Sequence, residues 1–134
     1  MRWLLGGELH PGGAAATLRA LELIDAGPGD GLLDVASGAG TSAILAAREL
    51  GCRATGVEYS AAAVAEARDA ARAASLGDRV AFAEGDAESL PFADQAFDAV
   101  LCECSLCTTV TRRALRPRCT ASCGLAAGWR SPTW

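Results

Sequence analysis

The chain has 134 residues, with 12 basic residues, all arginine, against 16 acids and a formal net charge of −4. That is one domain at most, with no apolar run near the ~18 residues of a spanning helix and an opening stretch too short for a secretory signal; a soluble, cytoplasmic protein is expected. Residues 1–107 carry 7 arginines and all 16 acids, so a basic nucleic-acid-binding surface is excluded there, while 108–134 carry 5 arginines and no acid.

In chain order, Gly6-Gly7 and His10-Pro11-Gly12-Gly13 are loop chemistry. Leu18, Leu21 and Ile24 fall about one turn apart and predict a helix over 14–26, closed by the turn Gly27-Pro28-Gly29-Asp30. The apolar Leu32, Leu33 and Val35 predict a buried strand from Gly31 that breaks into Ser37-Gly38-Ala39-Gly40. A helix follows over Thr41 to Leu50, with Gly51 in the terminating position. Arg53 to Val57 reads as a second strand, and Ser60 as the N-cap of an alanine-rich helix to about Ala74. Arg79 to Glu84 alternates as a third strand, and Phe97 to Glu103 is a fourth, apolar enough to be buried. Strands alternating with helices predict an α/β, Rossmann-like parallel sheet with helices on both faces.

A strand that turns on glycines into a helix is built to hold a nucleotide-like ligand, because the backbone can approach closely and the helix start offers unpaired N–H groups. Two ligands compete. Gly38-Ala39-Gly40-Thr41-Ser42-Ala43 fits the dinucleotide pattern, and Glu58 lies 18 residues past Gly40, near the place of a ribose-binding acid. Asp34 separates the two. It stands inside the strand, where a dinucleotide site has an apolar residue, and a buried carboxylate needs a partner. A cationic amino group on the ligand would supply one.

Leu33-Asp34-Val35-Ala36-Ser37-Gly38-Ala39-Gly40-Thr41 resembles the first motif of class I S-adenosylmethionine-dependent methyltransferases. Gly56-Val57-Glu58-Tyr59-Ser60, Gly85-Asp86-Ala87-Glu88-Ser89-Leu90-Pro91-Phe92 and Phe97-Asp98-Ala99-Val100 match further motifs in order and at family spacing, over roughly residues 14–107. Ala36 departs from the family's usual glycine, and as a small residue it should only tighten the approach of the methionine part. The resemblance implies S-adenosyl-L-methionine as cofactor. It places Asp34, Ala36, Ser37, Gly38 and Gly40 around its methionine and ribose, and Glu58 on the ribose hydroxyls. Tyr59 would lie on the adenine face, Asp86 and the Ala87 N–H on the adenine edge, and Cys102 to Ser105 beside the transferring methyl. Asp98 is expected to be structural. The implied reaction is methyl transfer to a small-molecule acceptor, with no catalytic base assigned; His10 and Glu103 are candidates only. An NAD(P)-type oxidoreductase and a non-enzymatic binding module stand as alternatives, and the oligomeric state is open.

Cysteines 52, 102, 104, 107, 119 and 123 show no paired C-x₂-C knuckles, so ordinary thiols rather than a metal site are expected. Residues 108–134 lack any convincing period, and the family pattern of helix, Arg-Val-Leu-Arg-Pro-Gly-Gly turn and fifth strand is missing. Reverse translation of 119–134 with GC-rich codons, begun one base earlier, can read Leu-His-Arg-Val-Leu-Arg-Pro-Gly-Gly-Arg-Leu-Ala-Leu-Ser-Asp-Val. The domain is therefore expected to span 1–107, with 108–134 an irregular, out-of-frame tail and the frame lost between about Cys104 and Arg118. Only four of the family's seven strands would remain. The apolar fourth would be a raw edge, and the chain a poorly stable, inactive fragment.

Overall fold

In the computed structural model, residues 13–87, 89–93, 96–102 and 115–123 are described. The elements are α1 (Gly13–Glu22), β1 (Gly31–Val35), α2 (Thr41–Leu50), β2 (Arg53–Glu58), α3 (Ala61–Ala73), β3 (Val80–Glu84), β4 (Phe97–Cys102) and β5 (Leu115–Cys123). The strands form one sheet in the order β3-β2-β1-β4-β5, and every neighbouring pair is parallel.

Local signals set most of these bounds. Gly51 ends α2 in the left-handed conformation (φ 70°), which costs glycine nothing. The Ser60 hydroxyl accepts from the Ala63 N–H at 3.3 Å and so caps α3. Buried alanines (Ala43, Ala46 and Ala47 on α2, Ala67 and Ala71 on α3) let both helices lie close on the sheet.

The core has two layers. On one face Leu32, Ala54, Phe82, Ala99 and Leu101 pack with α1, α2 and α3. On the other, Leu33, Val35, Val57, Val100 and Cys102 are covered by Ala87, Leu90, Phe92 and Ala96, with the Phe92 and Phe97 rings edge to face at 5.0 Å. Helices are predicted on both faces; the three described helices all lie on one, because each carries its apolar stripe into the same cluster. The second face is covered among the described residues by the loop after β3.

The prediction of an irregular stretch over 108–134, with β4 left as an edge, is corrected at 115–123. Leu115–Cys123 lies parallel against β4, with Ala99, Val100, Leu101 and Cys102 opposite Thr120, Ala121, Ser122 and Cys123. An apolar strand with one side unpaired carries a row of unmet N–H and C=O groups, and any extended segment that satisfies them lowers the free energy whatever its periodicity. The register slips between Phe97 and Ala99, and Pro117 falls in the slipped interval. Proline has no N–H for a ladder, so an irregularity is expected where it sits.

Candidate functional site

Because β1, β2 and β3 are parallel, the segments leaving their carboxyl ends meet at one edge of the sheet, where open α/β folds bind ligands. Backbone bonds join them there. The Ser37 N–H donates to the Val57 carbonyl at 3.0 Å, and the Gly85 N–H donates to the Glu58 carbonyl at 3.0 Å. The Glu58 side chain adds two more links: Oε2 accepts from the Gly38 N–H and Oε1 from the Ser60 N–H, each at 3.0 Å. One residue thus ties the glycine loop, β2, the start of α3 and the segment after β3. Each carboxylate oxygen keeps a second lone pair for a ligand hydroxyl.

The glycine loop owes its shape to three left-handed residues, Ala36 (φ 58°), Gly38 (φ 53°) and Gly40 (φ 81°). Alanine pays for that conformation with contact between its Cβ and the next carbonyl, so Ala36 stores backbone strain. The two glycines differ in kind. A Cβ on Gly38 would meet nothing within 4 Å, so that side faces open space. A Cβ on Gly40 would stand 2.7 Å from Phe82 Cε1 and 2.9 Å from Ala67 Cβ, so Gly40 is glycine to admit the core beneath it. No side chain caps α2 at Gly40. The Ser37 hydroxyl oxygen is buried without a hydrogen-bond partner.

The other predicted residues fall around this edge. Asp34 is 2 % exposed, shares the helix-side face of β1 with Leu32 by alternation, and is engaged in an interaction within the protein. Tyr59 is 80 % exposed beside Glu58. Asp86 is exposed and Ala87 half-buried in a tight turn where the Ser89 N–H donates to the Asp86 carbonyl at 3.0 Å. Cys102 ends β4 as a buried member of the second core layer. Asp98 is structural: its Oδ2 accepts from the Gly31 N–H at 2.9 Å and clamps the starts of β4 and β1 together. His10, Glu103, Cys104, Ser105 and Cys107 lie outside the described residues. Among the described residues, no three His, Cys, Asp or Glu side chains could hold a metal ion, and no helix is long and apolar enough to cross a membrane. The sequence did not single out Phe82 or Arg68. Their signal is a contact across the fold, which no local pattern carries.

Comparison with known proteins agrees with this geometry. A family model described as a methyltransferase domain matches residues 32–121. Methyltransferase GfsG of Streptomyces halstedii is 37 % identical over 92 residues, 69 % of this chain and 33 % of that protein. The geranyl diphosphate C-methyltransferase of Streptomyces coelicolor A3(2), solved with Mg2+, geranyl diphosphate and S-adenosyl-L-homocysteine, superposes with TM-score 0.67 at 29 % identity. That match covers 70 % of this chain and 35 % of the other. The cyclase SpnF superposes with TM-score 0.66 at 39 % identity, over 78 % of this chain and 39 % of the other. The chain therefore spans about a third of the length of the curated relative GfsG. These matches do not favour a dinucleotide-dependent oxidoreductase. With a domain match over 32–121 and the glycine loop, Glu58 and the turn after β3 gathered at one sheet edge, the chain belongs to the class I S-adenosylmethionine-dependent methyltransferases.

Proposed function

We propose that this chain binds S-adenosyl-L-methionine at the carboxyl edge of β1 to β3, as the cofactor-binding part of a cytoplasmic methyltransferase that acts on a small-molecule acceptor. The observation that carries the reading is the Glu58 carboxylate, held by the Gly38 and Ser60 N–H groups beside a glycine with open space over it. The residues present fit the cofactor. Gly38 offers a surface without a side chain, and the buried Ser37 hydroxyl lacks a partner.

When bound, the cofactor supplies a methyl already activated on a sulfonium centre, so much of the rate comes from positioning. Glu58 would accept from the ribose hydroxyls through its remaining lone pairs, and its grip on Gly38 would keep the loop in one conformation. Tyr59 would cover an aromatic face and exclude water from it. Asp86 and the Ala87 N–H would read the adenine edge. Asp34 would set the negative potential at the amino end, and Cys102 would border the methyl through the end of β4. A small-molecule acceptor is supported by the acidic balance of residues 1–107 and by the geranyl diphosphate held by the Streptomyces coelicolor relative.

Calorimetry on the 134-residue chain with S-adenosylhomocysteine, NAD and zinc tests the reading. Binding of S-adenosylhomocysteine alone is expected. NAD binding with no response to S-adenosylhomocysteine would overturn it.

A further inference from the structure

We infer that Phe82 is a positioning residue for the cofactor loop, acting from beneath it. This rests on the cofactor reading above and adds what holds that site in shape. Phe82 sits on β3, two strands away from the loop, and is only 5 % exposed. Its ring fills a notch made by two glycines of different elements. A Cβ on Gly40, the N-cap of α2, would stand 2.7 Å from Phe82 Cε1. A Cβ on Gly56, in the middle of β2, would stand 2.6 Å from the same atom and 2.6 Å from Ser37 Oγ. Real Cβ atoms do not approach so closely, so ring, loop and strand are fitted to one another with no slack.

The backbone that carries the ring is anchored from outside. Arg68 on α3 donates to the Phe82 carbonyl through Nη2 at 2.8 Å and Nε at 3.2 Å, at the outer edge of the sheet. Ala67, its neighbour in sequence, closes the notch from the helix side, 2.9 Å from where a Gly40 Cβ would be. The loop therefore has two supports of different kinds. Glu58 holds it by a hydrogen bond at Gly38, and Phe82 props it by contact at Gly40, with Gly56 and the Ser37 hydroxyl closing the same notch. A prop that is removed lets the loop sink toward the core, which moves the Gly38 amide and the start of α2 relative to Glu58. Close packing transmits such a shift because the interior cannot absorb it.

The test uses three variants: Gly56→Ala, Phe82→Val and the double variant. Gly56 lies in ordinary extended strand, so alanine there adds volume without backbone strain. Valine keeps strand propensity at position 82 and removes every ring atom that an alanine at 56 would meet. Affinity for S-adenosylhomocysteine is measured where each variant is fully folded, together with hydrogen exchange of the amides over 36–40. Each single variant is expected to weaken binding about tenfold, with faster loop exchange, and the double variant to recover the part of the Gly56→Ala loss that comes from the ring, while the Ser37 Oγ contact remains. Phe82→Leu replaces Phe82→Val should the valine variant not fold, with loss of affinity and faster loop exchange again expected. Unchanged affinity and exchange in a folded Phe82 variant, or losses that simply add in the double variant, would overturn the role of Phe82 while leaving the cofactor reading intact. Failure of the wild-type chain to bind S-adenosylhomocysteine overturns both.

Discussion

Removing the Glu58 carboxylate separates its two tasks, holding the loop and receiving the ligand. In the protein alone, Glu58→Ala deletes a half-buried bond to the Gly38 N–H and an exposed one to the Ser60 N–H, both at 3.0 Å. Bonds to a charged acceptor are worth about 1.5–3 kcal/mol when protected, and 3.0 Å is at the long end for them, so the Gly38 bond contributes about 1.5 kcal/mol. The Ser60 bond, open to water, adds about 0.5 kcal/mol, for a total near 2 kcal/mol. Urea denaturation should show that loss. If Glu58 also accepts from two ribose hydroxyls, calorimetry should show S-adenosylhomocysteine affinity falling about a hundredfold. Glu58→Gln sharpens the test. Its amide keeps one acceptor and must turn its NH₂ toward one of the two donors. The exposed Ser60 side is the cheaper one to lose, since water replaces the carboxylate there. About 0.5–1 kcal/mol of stability and about tenfold in affinity are expected to go. A Glu58→Ala chain that loses stability yet binds S-adenosylhomocysteine as before would confine the carboxylate to a structural role and refute the ligand half of the reasoning.

Ala36→Gly should raise the urea midpoint, because relief of a left-handed alanine (about 1–2 kcal/mol) exceeds the unfolded-state entropy that glycine adds (about 0.4–1 kcal/mol); a lower midpoint would exclude strain at Ala36. Burial raises the Cys52 thiol above its ordinary 9.0, with a smaller push from Asp30, against a backbone hydrogen bond that lowers it. The folded value thus exceeds the unfolded one, so this contribution is complete below about pH 9 and lost as pH rises beyond it, when the unfolded thiol ionises first. The chain has no lysine to complicate the alkaline limb, and Cys52→Ala should flatten the decline between pH 8 and 10; an equal decline in both proteins would assign it elsewhere. For the last residues, the nucleotide sequence read in the other frames should yield the Arg-Val-Leu-Arg-Pro-Gly-Gly turn over codons 119–134. A stop codon or an unrelated peptide there would sink the out-of-frame proposal.

Read as a string, the chain already determines the alternation of strands and helices, the bounds of α2, the cap at Ser60 and the terminating Gly51. Each of these depends on groups within a few residues of one another, where hydrogen-bond geometry and side-chain size act without help from the rest of the fold. The four motifs and their spacing also identify the ligand class, because a parallel sheet carries the end of every strand to the same edge. What each residue does there was decided only by tertiary packing. Gly38 and Gly40 look alike in sequence, yet one faces open space and the other makes room for Phe82, 42 positions further along the chain. Glu58 reads as a ligand-binding acid, but the fold also makes it the clasp of the glycine loop. The strand at Leu115–Cys123 has no periodic signal, since the open side of β4 defines it more than its own side-chain pattern does. Contacts between residues distant in sequence exist only once the layers have closed, and local pattern carries no trace of them.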